Sequence, residues 1–265
     1  MKGKYWEVFK ISWENSLVYR LNFVLWRVRS VLQLLLVYFI WWTVFQSQNE
    51  IFGYTQSSIL TYILAAALIR AIVLSSRVSD LMNQINDGSV VNFLVKPLGV
   101  IKYYFVRDFA DKLLNISLVI LEIGLIILFL RPKILIQTEL NIILLFILAS
   151  LLGIILYFCI SFVISLLAFW MENSWGPLFL LMIFLEGFAG GLFPIDILPK
   201  NIFNILMLTP FPYLIYFPSK LYLGTLNNLQ IIFGFLILSF WVVGLWFIMN
   251  WALKAGLKYY TAVGH

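Results

Sequence analysis

Long uncharged stretches alternate with short charged segments along this chain. No Asp, Glu, Lys or Arg occurs in residues 30–49, 51–69, 140–171 or 221–253. Because an α-helix rises about 1.5 Å per residue and the hydrocarbon core of a bilayer is about 30 Å thick, roughly 20 apolar residues cross it. Stretches of this length are typical of membrane-spanning helices, and the whole pattern predicts an all-α integral membrane protein.

Six spans are predicted from this pattern. They cover residues 21–45, 58–74, 113–130, 142–169, 178–193 and 231–253. An even number of spans places both termini on the same side of the membrane. We therefore expect one transmembrane domain over residues 1–265, with inner and outer connections of very different character.

Lys and Arg are distributed unequally between the two sides that these spans define. With the N-terminus inside, the inner segments hold 13 of the 18 Lys and Arg residues and the outer segments hold four, while Arg70 falls within the second span. Cytoplasmic loops of membrane proteins collect Lys and Arg. We therefore expect a multi-pass protein of the cell (plasma or inner) membrane with both termini in the cytoplasm.

The first 20 residues have the pattern of an interfacial helix. Trp6, Phe9, Trp13 and Leu17 recur at helical spacing, and the charged residues lie on another face. The alternative is a polar start that extends the first span. The Trp rings favour the interfacial helix, because each has an apolar body and one polar donor. We expect no removable signal peptide, since no small-residue cleavage site follows a short apolar run.

The inner connection at residues 75–112 carries an apolar stripe at positions i, i+3, i+4 and i+7. The stripe consists of Val78, Leu81, Met82 and Ile85. Gly88 follows it as a stop signal, so the pattern predicts an amphipathic helix. A second short helix is predicted to end before Pro97. Two interpretations stay open: the connection docks on a partner, or it packs against the chain's own spans.

The outer connection at residues 194–230 is apolar but broken by five prolines. Its apolar runs are too short to span, and we predict short re-entrant or interfacial helices. Irregular backbone at membrane depth is tolerated only where it is buried in protein or lines a cavity. A cap over a translocation path is one such place.

Composition excludes several other classes of protein. Of 265 residues, 63% are hydrophobic and 11% are charged, whereas a soluble chain has about 25% charged residues. The net charge of +6 forms no basic stripe that would bind nucleic acid. Cys159 and His265 are the only residues of their types, which excludes an intramolecular disulfide and histidine-based triads or metal clusters.

Besides Arg27 and Arg29 near the start of the first span, three charged residues, Arg70, Glu122 and Glu186, fall inside the predicted spans, where charges are rare and functional by default. Arg70 and Glu122 either bridge two helices, or Glu122 meets a cationic substrate. We favour a structural or gating role, because nothing in the sequence fixes their separation. Glu186 lies beside Gly187 and Gly191, which are predicted to permit close helix packing.

Four short strings, in this order, resemble the ABC-2 type permeases, the six-span membrane subunits of ATP-driven exporters. The strings are GSVVNFLVKPL from residue 88, FWMENSWG from residue 169, GLFPIDILP from residue 191 and GLKYYTAVGH from residue 256. The resemblance covers nearly the whole chain. It is greatest to a subgroup often encoded beside a second, similar permease.

The resemblance implies a permease without catalytic activity of its own. The chain contains no G-x-x-x-x-G-K-[ST] phosphate-binding loop. Separate ATP-binding subunits would hold ATP and magnesium, so no cofactor is expected in this chain. The other expected partners are membrane lipids and a second permease, either an identical copy or a paralogue, and no nucleic acid. The implied function is export of a hydrophobic or amphipathic substrate (a lipid, drug or peptide) by alternating access.

The resemblance also implies roles for particular segments. Residues 1–20 would form the elbow helix, residues 75–112 the coupling region, and residues 194–230 a cap over the exit. The residues expected to couple the permease to the ATPase are Val78, Leu81, Met82, Ile85, Gly88, Phe93, Leu94, Lys96, Pro97 and Glu172. The residues expected in the exit cap are Gly191, Pro194, Pro199 and Pro210.

Two alternatives compete with this interpretation. A carrier not driven by ATP usually shows internal repeats, and residues 1–130 and 131–265 do not match each other; a membrane assembly scaffold belongs to the same alternative. A membrane-bound lipid-modifying enzyme would need clustered acid–base or metal-binding residues. Asp108 and Asp111 lie one turn apart, but no His or third acid lies beside them.

Overall fold

The computed structural model describes residues 2–18, 20–94, 98–171 and 175–260, and this part of the chain is almost entirely helical. The α-helices are α1 (Lys2–Val18), α2 (Arg20–Val44), α3 (Gln56–Val73), α4 (Ser79–Asn86), α5 (Val91–Leu94), α6 (Val100–Leu130), α7 (Leu140–Leu166), α8 (Trp175–Phe188), α9 (Lys200–Leu206), α10 (Tyr216–Leu223) and α11 (Asn228–Tyr259). Two short strands, β1 (Glu50–Ile51) and β2 (Tyr54–Thr55), form an antiparallel hairpin between α2 and α3. The all-α class predicted from the sequence is confirmed.

Five helices in the described ranges are long and apolar enough to cross a membrane. They are Val24–Val44 within α2, Gln56–Val73, Val100–Leu130, Leu140–Phe169 and Asn228–Tyr259. The predicted fifth span, residues 178–193, overlaps α8 only as far as Phe188, and α8 has 14 described residues. At about 1.5 Å per residue the described part of α8 is roughly 21 Å long, less than the thickness of a bilayer core. The helix ends at Phe188, and Gly190 then turns the chain with a φ of +87°.

The segment after α8 returns into the middle of the helix bundle. The hydroxyl of Tyr62, halfway along α3, donates a 2.7 Å hydrogen bond to the carbonyl oxygen of Gly190. Gly153 lies midway along α7, and a β-carbon placed there would be 3.5 Å from the carbonyl oxygen of Tyr213. Residues 212–221 are all buried. This segment contains α9, α10 and two 3-10 turns, which matches the short helices predicted between α8 and α11.

Helix α6 begins earlier than the sequence predicts. The predicted span starts at residue 113, whereas α6 starts at Val100 and continues without a break for 31 residues. The predicted inner connection at residues 75–112 is therefore too long, since its second half belongs to this helix. The charged residues between 102 and 112 interrupt the apolar pattern without interrupting the helix, because most of them are paired with residues of the α3–α4 region.

Two hydrophobic clusters form the core. The larger one surrounds α3, α7 and α10, and the smaller one joins α4 to the ends of α7 and α11. We call the end of the bundle with the smaller cluster the α4 end, and the opposite end, with the β hairpin and α10, the α10 end. Helix α11 approaches both clusters at glycines: a β-carbon on Gly234 would overlap the ring of Phe217, and one on Gly256 would overlap the ring of Phe169.

The N-terminal segment is helical, which agrees with both interpretations of its sequence. The ring of Phe9 stacks on Trp6 at 5.4 Å between centroids and on Trp13 at 6.1 Å. Helix α1 packs against α6 and also touches α2. Trp6 remains 57% exposed, which leaves one aromatic edge of α1 available to the surroundings.

Candidate functional site

Helix α4 has one buried face and one exposed face. The four stripe residues, Val78, Leu81, Met82 and Ile85, are each less than 5% exposed. They pack against α7 and the 3-10 turn that follows it. The opposite face presents Asn83, Asn86 and Asp87. Of the two interpretations that the sequence leaves open, packing on the chain's own helices is the correct one for the stripe itself. Any partner that docks on α4 must contact the polar face.

Three of the four strings that carry the family resemblance meet at the α4 end. The hydroxyl of Tyr260, at the end of α11, donates a 3.1 Å hydrogen bond to the carbonyl oxygen of Gly88. The rings of Tyr260 and Phe169 make an edge contact with centroids 5.7 Å apart. Gly256 lies flat against the same Phe169 ring. Gly88 itself has a φ of +78°, a left-handed conformation that favours glycine. The hydrogen bond from Tyr260 holds the turn after α4 against the end of α11.

Ion pairs tie α4 and the residues before it to α6. Arg107 donates a 2.8 Å hydrogen bond to the Asp80 carboxylate, and Arg77 lies 2.5 Å from Asp111. These pairs connect the start of α4 to two successive turns of α6. Helix α4 and the residues before it are therefore held directly to α6.

Additional hydrogen bonds connect α4 with its neighbours. The hydroxyl of Tyr104 on α6 donates to the side chain of Gln84, and the hydroxyl of Ser165 on α7 donates a 3.1 Å bond to the carbonyl oxygen of Val78. Helix α4 is thus in contact with α6, α7 and the end of α11 simultaneously. Ser89, just after α4, donates a 2.9 Å backbone bond to the Asp87 carboxylate. Hydrogen bonds from Ser89 lower the pKa of Asp87, so this exposed carboxylate stays charged.

Lys112 closes the end of α3. Its side chain is almost completely buried, and its ammonium group donates to the carbonyl oxygens of Ile72, Val73 and Ser75. The last carbonyl groups of a helix have no partner within the helix and need one from elsewhere. Asp108, one turn earlier on α6, lies 3.4 Å from the same ammonium group and balances its charge.

The charges within the bundle are paired differently from the sequence hypothesis. Arg70 and Glu122 do not bridge two helices with each other. Glu122 on α6 pairs with Arg27 on α2, whose Nε donates a 2.7 Å hydrogen bond to it, and Arg27 also donates to Asn115 at 3.1 Å. Arg70 on α3 pairs instead with Glu186 on α8. The sequence shows which charges lie within the spans but not how they pair, because the arrangement of helices decides which side chains meet.

The glycines beside Glu186 do not pack as a helix-contact motif within this chain. A β-carbon on Gly187 would meet nothing within 4 Å, so this position faces open space. Gly191 lies beyond the end of α8, and a β-carbon there would be 3.0 Å from Nη1 of Arg70. The prediction of close helix packing at these glycines is therefore wrong within the chain; Gly191 instead leaves room for the Arg70 guanidinium.

A second polar cluster lies at the α10 end. Lys220 of α10 is 3.0 Å from the Asp196 carboxylate and donates a 2.9 Å hydrogen bond to the Tyr54 hydroxyl. That hydroxyl in turn donates to Asp196 at 2.9 Å. Burial, and then the nearby Asp196 carboxylate, raise the pKa of Tyr54, so it remains a protonated donor. These three residues connect the β hairpin, the turn after Pro194 and α10.

The residues predicted for the exit cap all lie in the segment between α8 and α11. Pro194 is buried and precedes the 3-10 turn Ile195–Ile197, whereas Pro199 is exposed and precedes α9. Pro210 precedes the 3-10 turn Phe211–Tyr213. These three prolines therefore each precede a short helix or turn of this segment, whereas Pro218 lies within α10.

Some of the predicted coupling residues fall outside the described part of the chain. Lys96, Pro97 and Glu172 are among them. Phe93 and Leu94 belong to α5, whose backbone is described without these two side chains. Among the described residues, no three His, Cys, Asp or Glu side chains form a group that could hold a metal ion.

Sequence reasoning gave no role to Lys112, Tyr54, Asp196 or Lys220. Lys112 and Lys220 each border an apolar stretch. A lysine in such a position is usually interpreted as the boundary of a span, but here both are buried and bind oxygen atoms of the chain. The roles of Lys112 and Lys220 follow from their contacts in the folded chain and not from their spacing in the sequence.

Comparison with known families identifies the chain. The sequence profile of a family described as ABC-2 family transporter protein matches residues 31–264. This chain belongs to the ABC-2 transporter family. The recognition made from the four strings is therefore confirmed, and the chain is a multi-pass membrane protein of an ABC transporter family. No curated protein matches the sequence significantly. Within this ABC-2 family chain, the α4 end, the two intramembrane ion pairs and the Lys220 cluster are the candidate functional regions.

Proposed function

We propose that this chain is the permease subunit of an ATP-binding cassette transporter, and that α4 is the helix through which a separate ATP-hydrolysing subunit moves it. The family membership supports the general role. The observation that supports α4 is its division into a face buried within the chain and an exposed polar face at one end of the bundle. A helix fixed on its inner face is suited to transmit force applied to its outer face.

The contacts of α4 supply a route for this force. An ion pair connects α4 to α6, a hydrogen bond connects Val78, just before α4, to α7, and Tyr260 connects the turn after α4 to the end of α11. Coupling requires that the ATPase contact α4 differently in its ATP-bound and ATP-free states. When the ATPase closes, α4 would carry the ends of these three helices with it and change access through the bundle.

The rest of the proposal concerns assembly and direction. Two permease chains, identical or paralogous, pair in the membrane, with the α4 end and both termini in the cytoplasm. Helix α1 is the interfacial elbow, and residues 189–223 close the opposite, outer end. The cargo is a hydrophobic or amphipathic molecule that moves outward.

The coupling step is tested with substitutions on the polar face of α4. Charged residues in the buried stripe would disrupt folding, so they could not separate coupling from stability. Asn83→Trp adds a large ring to the exposed face, and Asn201→Trp, at an exposed site on α9, is the matched control. Both variants should insert and purify normally. Only Asn83→Trp should lose binding to the ATPase subunit, and transport should no longer respond to ATP in reconstituted vesicles. Full coupling in both variants would overturn the placement.

Membrane orientation is tested separately by cysteine labelling. Cys159 is fully buried, so a new exposed cysteine provides the signal. In intact cells, an impermeant maleimide should react with Lys200→Cys, and Asn83→Cys should react only after the cells are opened. Reaction of Asn83→Cys in intact cells would place α4 outside and would contradict the proposal.

A further inference from the structure

Helix α8 is held to the chain along one side only. Among its described residues, only Leu181 and Leu185 are buried. Another face of the helix contains Phe179, Met182, Ile183 and Glu186, at positions i, i+3, i+4 and i+7. The first three are 51%, 47% and 51% exposed. Helix α8 thus presents an open apolar strip that ends at a carboxylate.

The carboxylate at the end of this strip is part of a polar group shared by three helices. Glu186 pairs with Arg70 on α3, and the Gln33 side chain on α2 is 3.5 Å from the second carboxylate oxygen. The Arg70 and Glu186 side chains are 27% and 38% exposed. The corresponding values for Arg27 and Glu122 are only 14% and 15%. One of the two intramembrane ion pairs is therefore closed, and the other is accessible.

The shape around the accessible pair leaves one side open. On the side of Gly191, the backbone approaches so closely that a β-carbon would lie 3.0 Å from Nη1 of Arg70. On the α8 side, a β-carbon on Gly187 would meet nothing within 4 Å. Charged groups at membrane depth face protein or water rather than lipid tails. A polar group can therefore reach the ion pair from this open side.

We propose that Arg70 and Glu186 bind the headgroup of a zwitterionic lipid-like amphipath, whose apolar part lies on the strip formed by Phe179, Met182 and Ile183. The site carries one positive and one negative charge. The anionic group of a zwitterion can pair with Arg70 and its cationic group with Glu186, so that no charge is left without a partner. A singly charged headgroup would leave one protein charge without a partner in a medium of low dielectric constant, which is strongly unfavourable. That this amphipath is also the cargo rests on the proposed permease function.

The test measures headgroup preference in the purified full-length chain without an ATPase. Native mass spectrometry would record retention of three diacyl lipids with identical tails: phosphatidylcholine, anionic phosphatidylglycerol and a cationic trimethylammonium-propane lipid. The wild-type chain should retain phosphatidylcholine best. Glu186→Gln leaves Arg70 alone and should shift the preference toward phosphatidylglycerol by about tenfold, and Arg70→Gln should shift it toward the cationic lipid by a similar factor.

Controls separate binding from a structural role. Glu122→Gln and Arg27→Gln break the closed ion pair and should leave the headgroup preference unchanged. The exchanged variant Arg70→Glu/Glu186→Arg keeps the site neutral and should restore the preference for phosphatidylcholine. Free phosphocholine should not displace the lipid, because it lacks the tails that contact the strip.

Three results would overturn the inference. The first is equal retention of the three lipids by the wild-type chain. The second is a loss of stability in the Arg70 and Glu186 variants without any shift in headgroup preference. The third is efficient disulfide crosslinking of Ile183→Cys between two chains, which would show that a second permease covers the strip. Asn83→Trp should leave the preference unaltered. Failure of ATPase coupling and failure of this lipid site are therefore distinguishable.

Discussion

Lys112 of α6 donates a 3.0 Å hydrogen bond to the carbonyl oxygen of Val73, the last residue of α3. Helix α3 ends beside the longer α6 and α7, at a level where its last carbonyl groups are enclosed by protein. One buried ammonium group satisfies several of them and is balanced by Asp108. This contact fixes the point at which the chain leaves the bundle and turns into α4.

Replacing Lys112 should therefore destabilise the chain strongly. Lys112→Met leaves the α3 carbonyl groups and the buried Asp108 without their partner. Removal of one member of a buried ion pair costs about 3 kcal/mol or more. Thermal unfolding in detergent should show a clear fall in Tm. Lys102→Met, at an exposed position of the same helix, should leave Tm almost unchanged. Equal values for the two variants would contradict the role assigned to Lys112.

The Arg27–Glu122 pair should behave as a closed structural pair. Glu122→Leu leaves the Arg27 charge buried without a counter-ion and should cost about 3 kcal/mol. The double variant Arg27→Met/Glu122→Leu removes both charges and should recover to within about 1 kcal/mol of the wild type, since apolar replacement of a buried pair is often neutral. A double-mutant cycle measured by thermal unfolding checks this. A double variant as unstable as the sum of the two single variants would argue against it.

Hydrophobic pattern predicted the helices better than their ends or their contacts. The uncharged stretch 221–253 covers the end of α10, the turn after it and most of α11, and α11 forms as predicted because a long apolar helix is stable in lipid whatever surrounds it. The start of α6 was not predictable in this way. Arg107, Asp111 and Lys112 are typical of a polar loop, and only their partners on α3 and α4 make a helix with these charges stable.

The shortness of α8 also depends on tertiary structure. Residues 178–193 are apolar enough to be interpreted as a span, but the chain turns at Gly190, where Tyr62 and Tyr216 leave no room for a side chain. The sequence indicated the short helices after this turn through their prolines. It did not indicate that they fill the middle of the bundle, since that requires the positions of α3 and α7.

Close contact between α11 and the segment after α8 should depend on Gly234. A β-carbon there would overlap the Phe217 ring, so Gly234→Ala must displace a buried aromatic residue. Overpacking of this kind costs about 1–3 kcal/mol. Gly244→Ala, on the same helix with nothing within 4 Å, should be neutral or stabilising by up to about 1 kcal/mol. The difference in Tm between the two variants measures the contact, and a similar effect of both would exclude it.

The cluster of Lys220, Asp196 and Tyr54 should hold residues 189–223 in the bundle. Lys220→Gln removes the ion pair with Asp196 and weakens the bond to the Tyr54 hydroxyl. Hydrogen bonds to charged groups contribute about 1.5–3 kcal/mol, so local opening should become roughly 10- to 100-fold more frequent. Amide hydrogen exchange in residues 212–221 should accelerate accordingly, while exchange near α4 stays the same. Lys200→Gln changes an exposed lysine of the same segment and should have no such effect. If both variants exchange at the wild-type rate, α10 is held by its apolar contacts alone, and the polar cluster does not restrain the outer segment.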